Sequence, residues 1–462
     1  MSSHHRRRLR RHRWERALDA DQPAWAAGDP PSRENCHVEV LIDGAQAGER
    51  IAERLAAARS HVHIAGWHVD PAFELVRDRQ PPVVLGELLA QLAQRIDVRV
   101  LVWAGAPVPV FHPTRAEVAA AARRLCNDTE IRCALDRRER PMHCHHEKTI
   151  VVDDEVAFVG GIDLTTLAGD RHDTSDHLAR RRLGWHDVAT ELRGPVVADV
   201  AAHFAMRWTQ TTGEAMTAPA PSEAAGTTTA QIVRTVPEGT YDALPDGDFR
   251  ILETYLGALR GAQRLIYLEN QFLWSPEVVT VLRDKLRNPP TDDFRVLVLL
   301  PARPNNGADD TRGQLALLVE ADDDNDRFLA VTLRSRSATR TDPLYVHAKV
   351  AITDDRVTII GSANLNEHSL FNDTEMCVVT HDPELARDTR CRLWAEHLEC
   401  AIEDLASDPC DVIDNRIRPT AEDQLRRLRD GQPATHRLVE LPGVSRRTDR
   451  LRGPVTGLLD DG

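Results

Sequence analysis

The chain is written twice. The segment "HHEKTIVVDDEVAFVGGIDL" (145–164) is echoed about 200 residues later by "VHAKVAITDDRVTIIGSANL" (346–365). The likeness extends outward. "AARSHVHIAGWHVDP" (57–71) resembles "GAQRLIYLENQFLWSP" (261–276), and "DVRVLVWAGAPVPV" (97–110) resembles "FRVLVLLPARPNN" (294–306). Beyond each central segment, "HDVATELRGPVVADVAAHFAMRW" (186–208) matches "TEMCVVTHDPELARDTRCRLW" (374–394). Strands alternating with helical stretches predict α/β layers, with helices on the faces of a sheet. A duplicated unit of this kind most simply pairs about a pseudo-two-fold axis. A chain of 462 residues can give both copies full cores. The predicted division is a disordered basic arm (1–30), a first lobe (31–212), a linker rich in Ala, Pro and Thr (213–229), a second lobe (230–400) and a C-terminal extension (401–462) docked on the second lobe.

The duplicated segments carry the chemistry. His146, Lys148 and Asp153 form H-x-K-x4-D, and His347, Lys349 and Asp354 repeat it. Small-residue turns follow at the same interval: Gly160-Gly161 with Asp163, and Gly361-Ser362 with Asn364. The chain has only three lysines, Lys148, Lys285 and Lys349, and two of them stand two residues after a His in matching register. A strand projects positions i and i+2 from one face, so each His and Lys emerge together. Each Asp-Asp pair should turn the strand into a hairpin, which makes a structural role for Asp153 and Asp354 the stronger expectation beside a catalytic one. The glycines at the hairpin ends are expected to let backbone N–H groups approach a ligand.

Two such sets facing each other suit a phosphate with an ester on either side. One His attacks phosphorus, and the opposite His protonates the leaving alcohol. The lysines, with Ser362 and Asn364, are expected to bind the nonbridging oxygens, so no metal or other cofactor is expected for this chemistry. Each His needs a carboxylate to fix its tautomer. Aligning the repeats suggests Glu375 for His146 and Asp187 for His347, each reaching across the pseudo-two-fold. Asn270 and Gln271 of "YLENQFLW" are further candidates for the pocket lining. His145 is expected at the pocket rim, and the extra loop 165–184 over the site. A metal site at His143, Cys144 and His145 is disfavoured, because no second ligand pair with zinc-like spacing follows.

These motifs resemble the signature of the phospholipase D superfamily, H-x-K-x4-D-x6-G-S-x-N in two copies. "WHDV", "IYLENQFLW" and "GGIDL" look most like its eukaryotic-type branch, in a bacterial short form without regulatory domains. The resemblance covers about residues 35 to 400. It implies two α-β-α sandwich lobes with the active site at their interface. It also implies a phosphohistidine intermediate with His146 as nucleophile and His347 as acid, and transfer of a phosphatidyl group to water or an alcohol. Gly161 and Asp163 depart from the Ser and Asn of the signature, as is usual for that branch.

A glycerophospholipid such as phosphatidylcholine, at a membrane surface, is therefore the expected substrate, and a monomer is expected. Alternatives are a cardiolipin synthase-like phosphatidyltransferase and a nuclease or other phosphodiesterase of the superfamily. A net charge of −14 argues against nucleic acid as partner. The eight scattered cysteines, without a C-x-x-C pair, read as reduced thiols. No apolar run reaches membrane-spanning length, and the start lacks the apolar stretch of a signal, so a cytoplasmic protein peripheral to the membrane is expected. Attraction of the basic residues in 4–13 to anionic lipid is the alternative to a merely solvated tail.

Overall fold

In the computed structural model, which describes residues 3–108, 111–167, 169–179, 183–304, 308–337 and 340–444, each copy builds one mixed sheet. The first lobe orders its strands Arg33–Ile42, Val188–Arg193, Val156–Gly160, Thr149–Val152, His61–Gly66, Asp97–Trp103 and Arg132–Asp136. The second lobe repeats that order with Thr228–Val236, Glu375–Thr380, Val357–Gly361, Val350–Thr353, Leu265–Glu269, Arg295–Leu299 and Phe328–Arg336. In both, the first four pairings are antiparallel and the last two parallel. The start of Arg33–Ile42 also pairs with Thr228–Val236, which joins the two sheets.

The central strands read "TIVV", "VAFVG", "VAIT" and "VTIIG", and every one of their residues is buried. Unbroken β-branched runs of this kind belong to strands covered on both faces. One apolar cluster contains Val38, Val159 and Val188 of the first lobe together with Ile232, Tyr267 and Ile360 of the second. Each such side chain contributes about 1.5–3 kcal/mol when fully buried, so the lobes share a core rather than a loose contact. The helices Val197–Thr212 and Pro383–Leu398, equivalent in the two copies, both supply residues to that cluster. In the C-terminal extension, Leu438–Glu440 adds an antiparallel strand to Phe328–Arg336 of the second lobe. Residues 445–462 lie outside the described residues.

The basic arm is not disordered. Ser3–Arg11 is a helix, and Leu9 on it is fully buried. His5 stacks on Phe371 at 3.9 Å and its Nδ1 lies 2.9 Å from Glu277 Oε1. The Arg8 guanidinium grips Glu238 through Nε and Nη2, at 2.8 and 2.9 Å, and donates to the Phe371 carbonyl. His5, Arg8 and Leu9 share one helix face at i, i+3 and i+4 spacing, and the second lobe offers that face acidic and aromatic partners. Charge density alone could not reveal those partners, which come from distant parts of the chain. Among the described residues, no helix is long and apolar enough to cross a membrane.

Candidate active site

Each motif is stitched into the opposite lobe just before its His. His145 and Thr374 form a parallel bridge, and the His146 N–H donates to the Thr374 carbonyl at 2.9 Å. In the other half, Leu344–Val346 runs parallel to Gly184–His186, and the His347 N–H donates to the His186 carbonyl at 2.8 Å. The residue after each anchor is a buried carboxylate aimed at the motif His. Glu375 Oε1 lies 2.9 Å from His146 Nδ1, and Asp187 Oδ2 lies 2.6 Å from His347 Nδ1. These are the partners that aligning the repeats suggests, and each contact spans the two lobes. With Nδ1 held by a carboxylate, Nε2 of each ring is the atom left to work.

The lysines are buried beside these rings. Lys148 Nζ donates to the His146 carbonyl at 2.6 Å and lies 3.5 Å from Asp163 Oδ1. Lys349 Nζ donates to the His347 carbonyl and to Gln271 Oε1, the latter at 3.3 Å, and Asn364 Nδ2 reaches the same Gln271 oxygen at 3.4 Å. Burial holds Lys349 down to about 7, with Lys148 adding to the effect against the pull of Asp187. Burial likewise pushes Asp187 up to about 6, against the nearby Lys349 ammonium. His347 is held well below its ordinary value, first by burial, then by Lys349, Arg171, Lys148 and His146. Both motifs thus bear on one another electrostatically, as a shared phosphate site requires.

Several expected ligand contacts are not made. Gly160 and Gly361 lack a side chain because of the neighbouring strand: a Cβ would lie 2.5 Å from the Ala189 Cα in one case and 2.3 Å from the Met376 carbonyl oxygen in the other. The N–H groups of Gly161 and Ser362 are spent on the Val188 and Met376 carbonyls, at 2.9 and 3.0 Å. No ligand-facing backbone nest forms from these four residues. The Ser362 hydroxyl donates to Glu375 Oε2, so it supports the carboxylate that holds His146. Asn270 Oδ1 accepts from the Phe272 and Leu365 N–H groups, a loop-fixing role, whereas Gln271 does reach the site. Asp153 and Asp354 are corrected to structural residues. Asp153 accepts from the Arg59, Ser60 and His61 N–H groups, and Asp354 from those of Gln263, Arg264 and Leu265. Their φ angles of 56° and 54° are the left-handed turn geometry that Asp tolerates. His145, expected at the rim, is fully buried, with Nδ1 2.9 Å from Thr374 Oγ1 and Nε2 3.2 Å from Asp136 Oδ1.

Other residues of the site are not singled out by the motifs. Ser369 donates to Glu375 Oε1 at 2.5 Å. Arg171, from the 165–184 loop, lies 3.8 Å over the Trp185 ring, which packs 4.4 Å from His347 and 4.9 Å from Tyr345. Arg171 is thus a third buried cation acting on His347, beside Lys349 and Lys148. Trp185 belongs to the "WHDV" segment, a signal that could have found it. Ser369 and Arg171 have no counterpart in the repeat that would mark them.

The sequence model of the Phospholipase D family matches residues 54–184 and 319–441, more than half of the chain. Among curated proteins, phospholipase D A of Dictyostelium discoideum is 24% identical over 481 aligned positions, covering 84% of this chain and 37% of its own length. Phospholipase D alpha 1 of Cynara cardunculus is 25% identical over 511 positions, covering 76% and 63%. Phospholipase D1 of Schizosaccharomyces pombe is 24% identical over 498 positions, covering 80% and 36%. The chain therefore spans less than two thirds of the length of each of these three relatives. A solved structure of phosphatidylserine synthase from Haemophilus influenzae superposes with a TM-score of 0.51 at 12% identity, over 78% of this chain and 84% of that one. At that identity the likeness is one of fold.

Proposed function

The chain belongs to the phospholipase D family, and from that premise we propose that it is a phosphodiesterase that cleaves the headgroup ester of a glycerophospholipid, for example phosphatidylcholine to phosphatidic acid. The observation that carries the reading is the reciprocal exchange of carboxylates: Glu375 on His146 and Asp187 on His347, each across the lobe boundary. In the first step, His146 Nε2 attacks phosphorus while its Nδ1–H stays on the ring and donates to Glu375. The bond from phosphorus to the headgroup oxygen breaks, and His347 Nε2–H protonates that oxygen. In the second step, His347 takes a proton from water, the water oxygen attacks phosphorus, and the phosphorus–nitrogen bond breaks. An alcohol in place of water gives transphosphatidylation. Lys148 and Lys349 stabilise the charge on the nonbridging oxygens throughout.

The electrostatics of the ligand-free pocket support one refinement. Burial and the surrounding cations hold His347 well below its ordinary value and so disfavour its charged form. A bound phosphodiester anion offsets Lys148, Lys349 and Arg171, and so lets His347 hold the proton it must deliver. Substrate binding then sets the acid in its working form.

The membrane surface supplies the substrate, and the chain meets it as a peripheral protein. The test is incubation with labelled phosphatidylcholine and ethanol, beside a His146→Ala control. Phosphatidic acid and phosphatidylethanol are expected only from the unmodified chain. Cleavage of DNA without cleavage of any lipid would overturn the reading. A product dominated by phosphatidylethanol at low ethanol would move it to a phosphatidyltransferase.

A further inference from the structure

Behind the His347 half of the site lies a second cluster that the proposed chemistry does not use. Asp43, the first residue of the helix Asp43–Ala56, is fully buried with φ at 65°. A buried Asp held in the left-handed region is a strained position that the surroundings must over-determine. His177 comes from the 165–184 loop, His186 directly precedes Asp187, and Glu396 comes from the helix Pro383–Leu398 of the second lobe. Both imidazoles are fully buried.

Two ring nitrogens and two carboxylates alternate around a small ring. His177 Nε2 lies 3.1 Å from Asp43 Oδ2 and 3.0 Å from Glu396 Oε1. His186 Nδ1 lies 2.9 Å from Asp43 Oδ1 and 3.2 Å from the same Glu396 oxygen. One donor atom from each of the four residues falls within 4.8 Å of all the others. Ligands at the zinc–nitrogen and zinc–oxygen distance, about 2.0–2.1 Å, sit about 3.3 Å apart in a tetrahedron, close to these edges.

The outer nitrogens follow the pattern of metal-bound imidazoles, which give their second N–H to a carboxylate. His177 Nδ1 faces Asp173 Oδ2 at 3.3 Å, and His186 Nε2 faces Glu269 Oε2 at 3.0 Å. Glu269 is itself fixed by His397 Nε2 at 2.9 Å and by the Tyr267 hydroxyl. Four carboxylates therefore gather around three imidazoles in the interior, a negative set that either protons on the rings or a bound cation must balance.

We propose that Asp43, His177, His186 and Glu396 bind a divalent transition-metal ion, and that their two-nitrogen, two-oxygen set suits zinc. All four positions are filled by protein, so the ion is structural and touches no reacting atom. It would join three segments of the first lobe to one helix of the second, one residue from Asp187. The Asp187 N–H donates to Asp43 Oδ1 at 3.1 Å, and the Asp43 N–H returns to the Asp187 carbonyl at 2.8 Å. The ion would thereby hold in register the carboxylate that orients His347.

The test is elemental analysis of the full chain, expressed with zinc and dialysed extensively, beside thermal unfolding. One zinc per chain is expected in the unmodified protein. His177→Ala and Glu396→Gln should each lose it, whereas His143→Ala, in the separate His143, His368 and Asp373 cluster, should keep it. Stripping the unmodified chain with a chelator should lower its Tm by several degrees, restored by zinc and not by magnesium; this arm needs no variant to fold. A folded chain that holds no stoichiometric metal and shows no Tm response overturns the proposal. So does a metal lost through His143→Ala and retained by His177→Ala.

Discussion

The two halves of the site share a scaffold and differ in what backs each His. Glu375 behind His146 accepts from two hydroxyls, those of Ser362 and Ser369. Asp187 behind His347 accepts instead from the Val188 N–H at 2.8 Å. At the position equivalent to Ser362 stands Gly161, where a Cβ would lie 2.2 Å from Asp187 Oδ1. The lysines diverge in the same sense. Lys148 has the anion Asp163 at 3.5 Å, while Lys349 is solvated by the neutral Gln271. Burial then acts on the less supported half, lifting Asp187 to about 6 and lowering Lys349 to about 7. Duplication preserved the reactive pair, and changes around it gave one half proton affinities near neutrality. Groups with such affinities suit proton transfer.

The widest separation of the halves should come from the histidines. His146→Ala should remove turnover on every substrate, with no labelled phosphoenzyme. His347→Ala should cost on the order of 10²- to 10⁴-fold on an alkyl headgroup. It should cost far less on a nitrophenyl phosphodiester, whose leaving group needs no proton. Rapid-quench kinetics on both substrates checks this, and equal losses for His347→Ala on the two would remove the assigned roles.

Next in size is Asp187→Asn, expected to lower kcat by roughly 10²- to 10⁴-fold, as loss of an imidazole-orienting carboxylate does elsewhere. A variant with full activity would break the cross-lobe pairing as a functional device.

The pH profile is a subtler probe. Asp187 is ionised above about 6, so kcat/KM should fall as pH drops through that value. Lys349 is charged below about 7, so phosphate binding should weaken as pH rises through that value. The optimum for kcat/KM then lies between the two. Lys349→Arg, whatever its overall rate, should flatten the alkaline limb, because guanidinium keeps its proton.

The smallest effect on rate should come from Asp354→Ala. Its carboxylate ties the hairpin turn to three N–H groups of a neighbouring strand start. The variant should lose a few degrees of Tm and keep kcat within about twofold, since each lost bond is worth about 1 kcal/mol. A collapse of kcat with Tm unchanged would return this Asp to the chemistry.

What the sequence made legible followed from the repeat. Two copies in register identify the His and Lys pairs, the order of elements along the chain that they share, and the carboxylates that cross between copies. What stayed hidden depends on contacts with no copy to compare. The amphipathic face of Ser3–Arg11 has meaning only beside Glu238, Glu277 and Phe371, hundreds of residues away. Gly160 and Gly361 look like ligand cradles in sequence, and only the adjacent strand shows that they exist for sheet packing. Arg171 and His177 come from the loop that one copy has and the other lacks, where symmetry offers no guide.

The placement of the helix Ser3–Arg11 gives the molecule an unusual thread. This early segment rests on the lobe that the chain completes last. Its turns clasp residues 238, 277 and 371, and the first lobe and the passage between lobes lie in sequence before those residues. During synthesis the clasp emerges long before its socket, and it can close only after both halves have been made. Since the carboxylate couples of His146 and His347 also span the halves, the clasp and the working groups at the centre report one event: the arrival of the second lobe.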